Sequence, residues 1–176
     1  MSAYVDVDLA ELPVPGAGTN CSYKGIPVYC GPRGLKGTSN ILYRNNGDGT
    51  FTDISRKSGI LTPSGYYGMS VTTLDYNNDG AVDILVINDS TPSILYRNNK
   101  NGTFTDVGVP AGIAYDENGA EQSGMGVAVA DFDGDGLVDI VKTQFSDNYP
   151  ALYRNLGRGY FPVSYTHLTL PTNREV

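Results

Sequence analysis

The chain has 176 residues, enough for one ordinary domain or part of a larger one. Its 12 basic and 19 acidic side chains give a net charge of −7, which argues against a nucleic-acid-binding surface. Twenty-two glycines and ten prolines are too many for a helical bundle and too few for a disordered low-complexity chain, and 40% hydrophobic residues can fill a core.

The N-terminal stretch Met1–Leu12 carries Asp6, Asp8 and Glu11, so it lacks the basic-then-apolar pattern of a signal peptide. No run approaches the roughly 18 apolar residues of a membrane helix, so no transmembrane segment is expected. Two cysteines, Cys21 and Cys30, follow. With a single histidine, His167, the chain leaves little room for histidine-based catalysis.

From Ile41 the sequence repeats. Ile41–Asp53 (ILYRNNGDGTFTD) returns as Ile94–Asp106 (ILYRNNKNGTFTD), and a degraded copy runs from Ala151 to Phe161. A second motif alternates with it: Gly68-Met69 leading to Asp75–Asp83, and Gly124-Met125 leading to Asp131–Asp139. The period is about 55 residues, and repetition of this kind signals a repeat architecture. Within a period, Val82–Ile87 and Val138–Val141 are β-branched apolar runs, Ser93–Arg97 and Gly102–Asp106 are shorter strand candidates, and Gly126–Phe132 alternates around small residues. Asn45–Gly49 and Asn98–Gly102 are turn chemistry, because Asn, Asp and Gly tolerate positive φ. Ser55–Ser64 and Gly108–Ser123 read as inter-strand loops. Four short strands per repeat is the size of a propeller blade, so an all-β, partial β-propeller of about three four-stranded blades is expected. A β-sandwich is the alternative, but it gives no reason for two motifs to recur at constant spacing.

The chemistry lies in the acidic loops. Asp75, Asn77, Asp79 and Asp83, and likewise Asp131, Asp133, Asp135 and Asp139, place oxygen side chains at loop positions 1, 3, 5 and 9. Ca²⁺ takes six to eight oxygens at about 2.3–2.6 Å. Gly80 and Gly136 permit the bend, and the carbonyls of Ala81 and Leu137 at position 7 can add a ligand. An all-oxygen set disfavours zinc and copper. An EF-hand begins in the same way but needs a Glu at position 12 between helices. Here position 12 is Val86 or Lys142 and the flanks are strand-like. A solvated acidic turn is the other alternative. No Ser-His-Asp or Cys-His arrangement is present, so no enzyme activity is expected. Tyr43, Tyr96 and Tyr153 recur at one place and read as blade packing. Arg44, Arg97 and Arg154 read as binding backbone carbonyls or neighbouring blades.

These motifs, the acidic loop between strands and Leu-Tyr-Arg-Asn…Gly-Thr-Phe in each repeat, resemble FG-GAP/VCBS repeats. The resemblance implies blades of an integrin-α-like seven-bladed propeller, with calcium in the loop joining the first two strands of a blade. Cys21–Leu35 (CSYKGIPVYCGPRGL) before the first Leu-Tyr-Arg-Asn resembles the bacterial CRTAC1-like (ASPIC/UnbV) proteins. On this reading residues 1–40 are the end of a preceding blade and a Cys-containing loop, and residues 41–163 are propeller repeats. The chain is then expected to be a fragment.

Cys21 and Cys30 suit a small disulfide loop, with a free buried pair as the alternative. Weak oxygen sites that fill at millimolar calcium, together with a disulfide, point to a secreted, periplasmic or cell-surface protein. The expected function is a calcium-binding adhesion-like module for a protein or carbohydrate ligand. The alternative is an accessory propeller of a secreted enzyme acting on polysaccharide or lipid. The C-terminal residues 164–176 resemble one reading frame of a sequencing adapter and are expected to be non-native. A natural strand with a proline turn is the other reading.

Overall fold

A computed structural model describes residues 1–12, 14–16, 22–28, 31–145 and 148–164. Cys21 and Cys30 lie outside the described residues, as does the C-terminal segment beyond Ser164. The elements in chain order are a 3₁₀ turn at Leu9–Glu11, β1 (Ser22–Tyr23), β2 (Ile26–Pro27), β3 (Tyr43–Asn45), β4 (Phe51–Asp53) and the one-turn helix α1 (Ser55–Ser58). They continue with β5 (Gly68–Leu74), β6 (Asp83–Asn88), β7 (Ile94–Asn98), β8 (Phe104–Asp106), β9 (Gly124–Ala130), β10 (Asp139–Gln144), β11 (Ala151–Tyr153) and β12 (Val163–Ser164).

The two later repeats fold into four-stranded antiparallel meanders in simple sequence order, β5-β6-β7-β8 and β9-β10-β11-β12. These are the expected blades. The first repeat contributes a two-stranded sheet, β3-β4, with Tyr43 opposite Asp53. The equivalent pairing of Tyr96 with Asp106 shows that both hairpins keep one register. The predicted loop at Ser55–Ser64 contains α1, which opens where Asp53 Oδ1 accepts the Ser55 N–H at 2.8 Å and closes at Gly59, with φ of 82°.

Sheets stack through both faces, which explains why β6 (DILVIN) is apolar without alternation. Leu85 and Ile87 point into a cluster with Ile140, Ala151 and Tyr153 of the last sheet and with Phe161, just before β12. Val86 and Ile84 point the other way, into a cluster with Ile60, Ile94, Tyr96 and Leu42. A strand covered on both faces needs apolar residues at every position, and each fully buried side chain of this size stabilises the fold by roughly 1.5–3 kcal/mol. The innermost strands β5 and β9 lie side by side, so the sheets fan from a common edge as propeller blades do. A sandwich would pair them face to face.

Crowding at that inner edge fixes its composition. A Cβ on Gly124 would lie 2.3 Å from Ile87 Cγ2 and 2.9 Å from the Asn88 carbonyl, so only glycine fits there. At the corresponding Gly68 the N–H donates to the Ala3 carbonyl at 2.8 Å, and Ile41 in turn donates to the Met1 carbonyl at 3.0 Å. The chain's first residues thus bridge Ile41 and Gly68.

Candidate metal centre

Each acidic loop joins the first two strands of its blade. Loop 75–83 links β5 to β6, and loop 131–139 links β9 to β10. The bend is built from left-handed residues at loop positions 4 and 6: Asn78 (φ 55°) and Gly80 (81°) in one loop, Gly134 (77°) and Gly136 (85°) in the other. The glycine inferred from the sequence is therefore used at position 6, and an Asn or Gly is needed at position 4 as well.

The first aspartate curls over the turn. Asp75 accepts the N–H of Asp79 at 3.0 Å and of Gly80 at 2.8 Å; Asp131 accepts those of Gly134, Asp135 and Gly136 at 2.8, 3.1 and 2.9 Å. The last aspartate is buried at the base of the loop. Asp83 Oδ2 accepts from Tyr76 N at 3.2 Å and Oδ1 from Asn98 N at 2.7 Å. Asp139 repeats this with Phe132 N at 3.1 Å and Asn155 N at 2.7 Å. Burial pushes the Asp83 carboxyl above the ordinary carboxylate range, against the bonds from Asn98 and Tyr76. The exposed Asp79 carboxyl is held below it, chiefly by the Ala81 N–H, with Asn77 and Lys100 adding.

Asp131, Asp133 and Asp139 each bring one carboxylate oxygen to a common point, all within 4.8 Å of one another. Among the described residues this is the one such trio. Three hard, anionic oxygens at that separation suit a cation with oxygen ligands. Asp135 is exposed and stands outside this trio, its Oδ1 accepting the Leu137 N–H at 2.9 Å; Asp79 does the same with Ala81 N at 2.9 Å. Position 3 of the first loop is the neutral Asn77, whose amide donates to Asp79 Oδ2 at 3.1 Å.

Sequence reasoning missed the basic residues at both loops. Lys100 Nζ lies 3.2 Å from Asp79 Oδ1 and donates to the Asp79 carbonyl at 2.5 Å. Arg154 Nη2 lies 2.5 Å from Asp133 Oδ2 and 3.9 Å from Asp135 Oδ2. Arg154 was expected to meet backbone carbonyls or a neighbouring blade, and it meets the acidic loop of its own blade. Arg97, the equivalent residue one blade earlier, lies on a shallow pocket with Asn77, Asp79 and Lys100. The asparagine of Leu-Tyr-Arg-Asn also acts here: Asn98 Nδ2 donates to the Val82 carbonyl at 3.1 Å, and Asn155 Nδ2 to those of Val138 at 3.1 Å and Tyr76 at 2.9 Å. Its recurrence in every repeat was the signal available for this role.

The repeated tyrosines pack between blades where a neighbouring sheet covers them. Tyr96 and Tyr153 are fully buried, whereas Tyr43 on the two-stranded sheet is about half exposed. Tyr96 Oη donates to the Ile60 carbonyl at 2.9 Å, and Tyr153 Oη to Gln122 Oε1 at 3.0 Å. At the opposite end of the strands from the acidic loops, a cavity of about 490 Å³ is lined by Met69, Met125, Asp89, Ser90, Ser123 and Phe145, among others. Met69 and Met125, at the starts of the adjacent strands β5 and β9, thus both face this cavity.

The FG-GAP-like repeat family matches residues 28–86 and 75–142. Cartilage acidic protein 1 of Homo sapiens is 37% identical over 89 residues, which cover 51% of this chain and 13% of that protein. The Mus musculus protein of the same name matches at 37% over 89 residues, and that of Xenopus tropicalis at 34% over 90. The chain therefore matches 13% of the length of these curated relatives.

Proposed function

Since the chain belongs to the FG-GAP-like repeat family, we propose that it is a calcium-binding extracellular β-propeller module that recognises a protein or carbohydrate ligand and performs no catalysis itself. The observation that carries the metal reading is the convergence of Asp131, Asp133 and Asp139 on one point, at the base of a loop whose backbone N–H groups already orient the carboxylates. Asp131, Asp133, Asp135 and Asp139, with the Leu137 carbonyl, form one ligand set. Asp75, Asn77, Asp79 and Asp83, with the Ala81 carbonyl, form the other.

A bound calcium ion supplies positive charge to carboxylates that otherwise repel one another. The residues do the rest: Asp83 and Asp139 tie each loop to the third strand of its blade through Asn98 and Asn155, so an ordered loop holds β5 to β7 and β9 to β11. The proposed ligand surface lies elsewhere, on a scaffold made rigid in this way. Extracellular placement, secreted, periplasmic or cell-surface, follows from calcium sites that fill at millimolar concentration, with a proposed Cys21–Cys30 disulfide as the second feature. No helix among the described residues is long and apolar enough to cross a membrane.

The test is thermal unfolding of the protein with excess chelator, Ca²⁺ or Mg²⁺. A site occupied only in the folded state adds roughly 2.7 kcal/mol at a hundredfold excess over Kd. Chelator should lower the Tm, and Ca²⁺ should restore it better than Mg²⁺. A Tm indifferent to all three contradicts the proposal.

A further inference from the structure

The two loops differ in how their own chain neutralises them. In loop 75–83 position 3 is the uncharged Asn77, and the cation paired with a loop carboxylate is Lys100, on Asp79, rather than the arginine of the repeat, Arg97. In loop 131–139 both features change. Position 3 is Asp133, a carboxylate that attracts an arginine. The equivalent arginine, Arg154, accordingly reaches into the loop and sits 2.5 Å from Asp133 Oδ2.

Asp133 is also a member of the trio with Asp131 and Asp139. Its carboxylate is thus shared between a guanidinium and the trio. Resting on the calcium reading above, we propose that Arg154 is an intrinsic counter-ion of loop 131–139: it occupies Asp133 when calcium is absent and must release or share it when calcium binds. The loop with four carboxylates thereby loses part of the affinity its charge would give. Lys100 does the same for loop 75–83 through Asp79, from a different position in the hairpin.

The magnitude is set by exposure. The Arg154 side chain is 47% exposed, and exposed ion pairs amount to a factor of roughly 1.5 to 5 in an equilibrium constant. Salt should screen the competition.

The experiment is calorimetric Ca²⁺ titration of the protein in an Asp79→Ala background, which leaves loop 131–139 to report. Arg154→Gln should tighten binding about two- to fivefold at low salt, with the gain shrinking at high salt. Arg154→Lys, which keeps the charge, should stay near the parent. If calcium binds in all three and Arg154→Gln is unchanged or weaker, the counter-ion role is overturned and the calcium site stands. If none of them binds calcium, the calcium reading itself has failed, and this proposal with it.

Discussion

Asp139 and Asn155 meet through a 2.7 Å hydrogen bond from the Asn155 N–H to Asp139 Oδ1, sixteen residues apart in the chain, and Asp83 and Asn98 meet at the same distance one blade earlier. In each blade the last aspartate of the acidic loop is thus also the lock on the third strand. This dual use separates two kinds of loop residue. Asp139→Ala strands the N–H groups of Asn155 and Phe132, both previously paired with the buried carboxylate. It should cost about 2–4 kcal/mol in urea unfolding even with chelator present. Asp133→Ala, at an exposed position, should cost little under chelator and act only when calcium is added. Equal losses for both variants in chelator would contradict the distinction.

Lys142 is the least expected residue in the core. It is fully buried between the last two blades, its Nζ on Gln122 Oε1 and 5.1 Å from the centre of the Tyr153 ring. Burial pulls its pKa from 10.5 to about 7, with Asp116 opposing. The folded state therefore holds this proton less tightly than the unfolded chain. The penalty is complete below about pH 7 and is relieved as pH rises toward 10.5. Lys142→Met, which keeps the volume, should be more stable than the parent at pH 6, and the gap should close by about pH 10.5. Denaturant melts across that range check the prediction; a constant gap would show that Lys142 stays charged in the fold.

Tyr96 links blades by a single hydroxyl. Its Oη donates to the Ile60 carbonyl at 2.9 Å and accepts from Asn40 Nδ2 at 3.4 Å. Tyr96→Phe should destabilise by about 1 kcal/mol, seen as a shift of the urea midpoint at unchanged slope. Calcium affinity should not change, since the ring points away from the acidic loops.

The repeats made most of the architecture legible. β6 to β10 fall on or within a few residues of the runs expected from the sequence, because strands covered on both faces must be apolar and the turns between them need Asn, Asp and Gly. The acidic trio was legible for the same local reason, since positions 1, 3 and 9 lie within nine residues. What was not legible depends on contacts far apart in the chain. Lys142 sits where the preceding blade has Val86, and its partners, Gln122 from the inter-strand loop Gly108–Ser123 and the Tyr153 ring, come from 20 and 11 residues away. Arg97 and Arg154 are one residue of one motif, yet Arg154 meets an aspartate at loop position 3 where Arg97 has the neutral Asn77. The bridge from Met1–Ala3 to Ile41 and Gly68 carries no sequence signature.

Asp106 gives a control for the metal reading. Its Oδ1 accepts the Gly108 N–H at 2.8 Å, and burial raises its pKa, so its part is to hold the turn after β8. Asp106→Ala should lower stability by about 1–3 kcal/mol and leave calcium affinity intact. Loss of calcium binding in this variant would mean that affinity tracks folding in general, not the two loops.

Calorimetric titration of Ca²⁺ into the protein and into the Asp79→Ala/Asp135→Ala double variant tests the central claim most directly. The account predicts calcium heat for the parent and its loss in the double variant, with Asp131→Ala weakening its site more than Asn77→Ala weakens the other, because a charged first ligand is removed in one case and a neutral one in the other. No calcium heat in the parent, or equal binding by parent and double variant, would leave loops 75–83 and 131–139 as ordinary acidic turns.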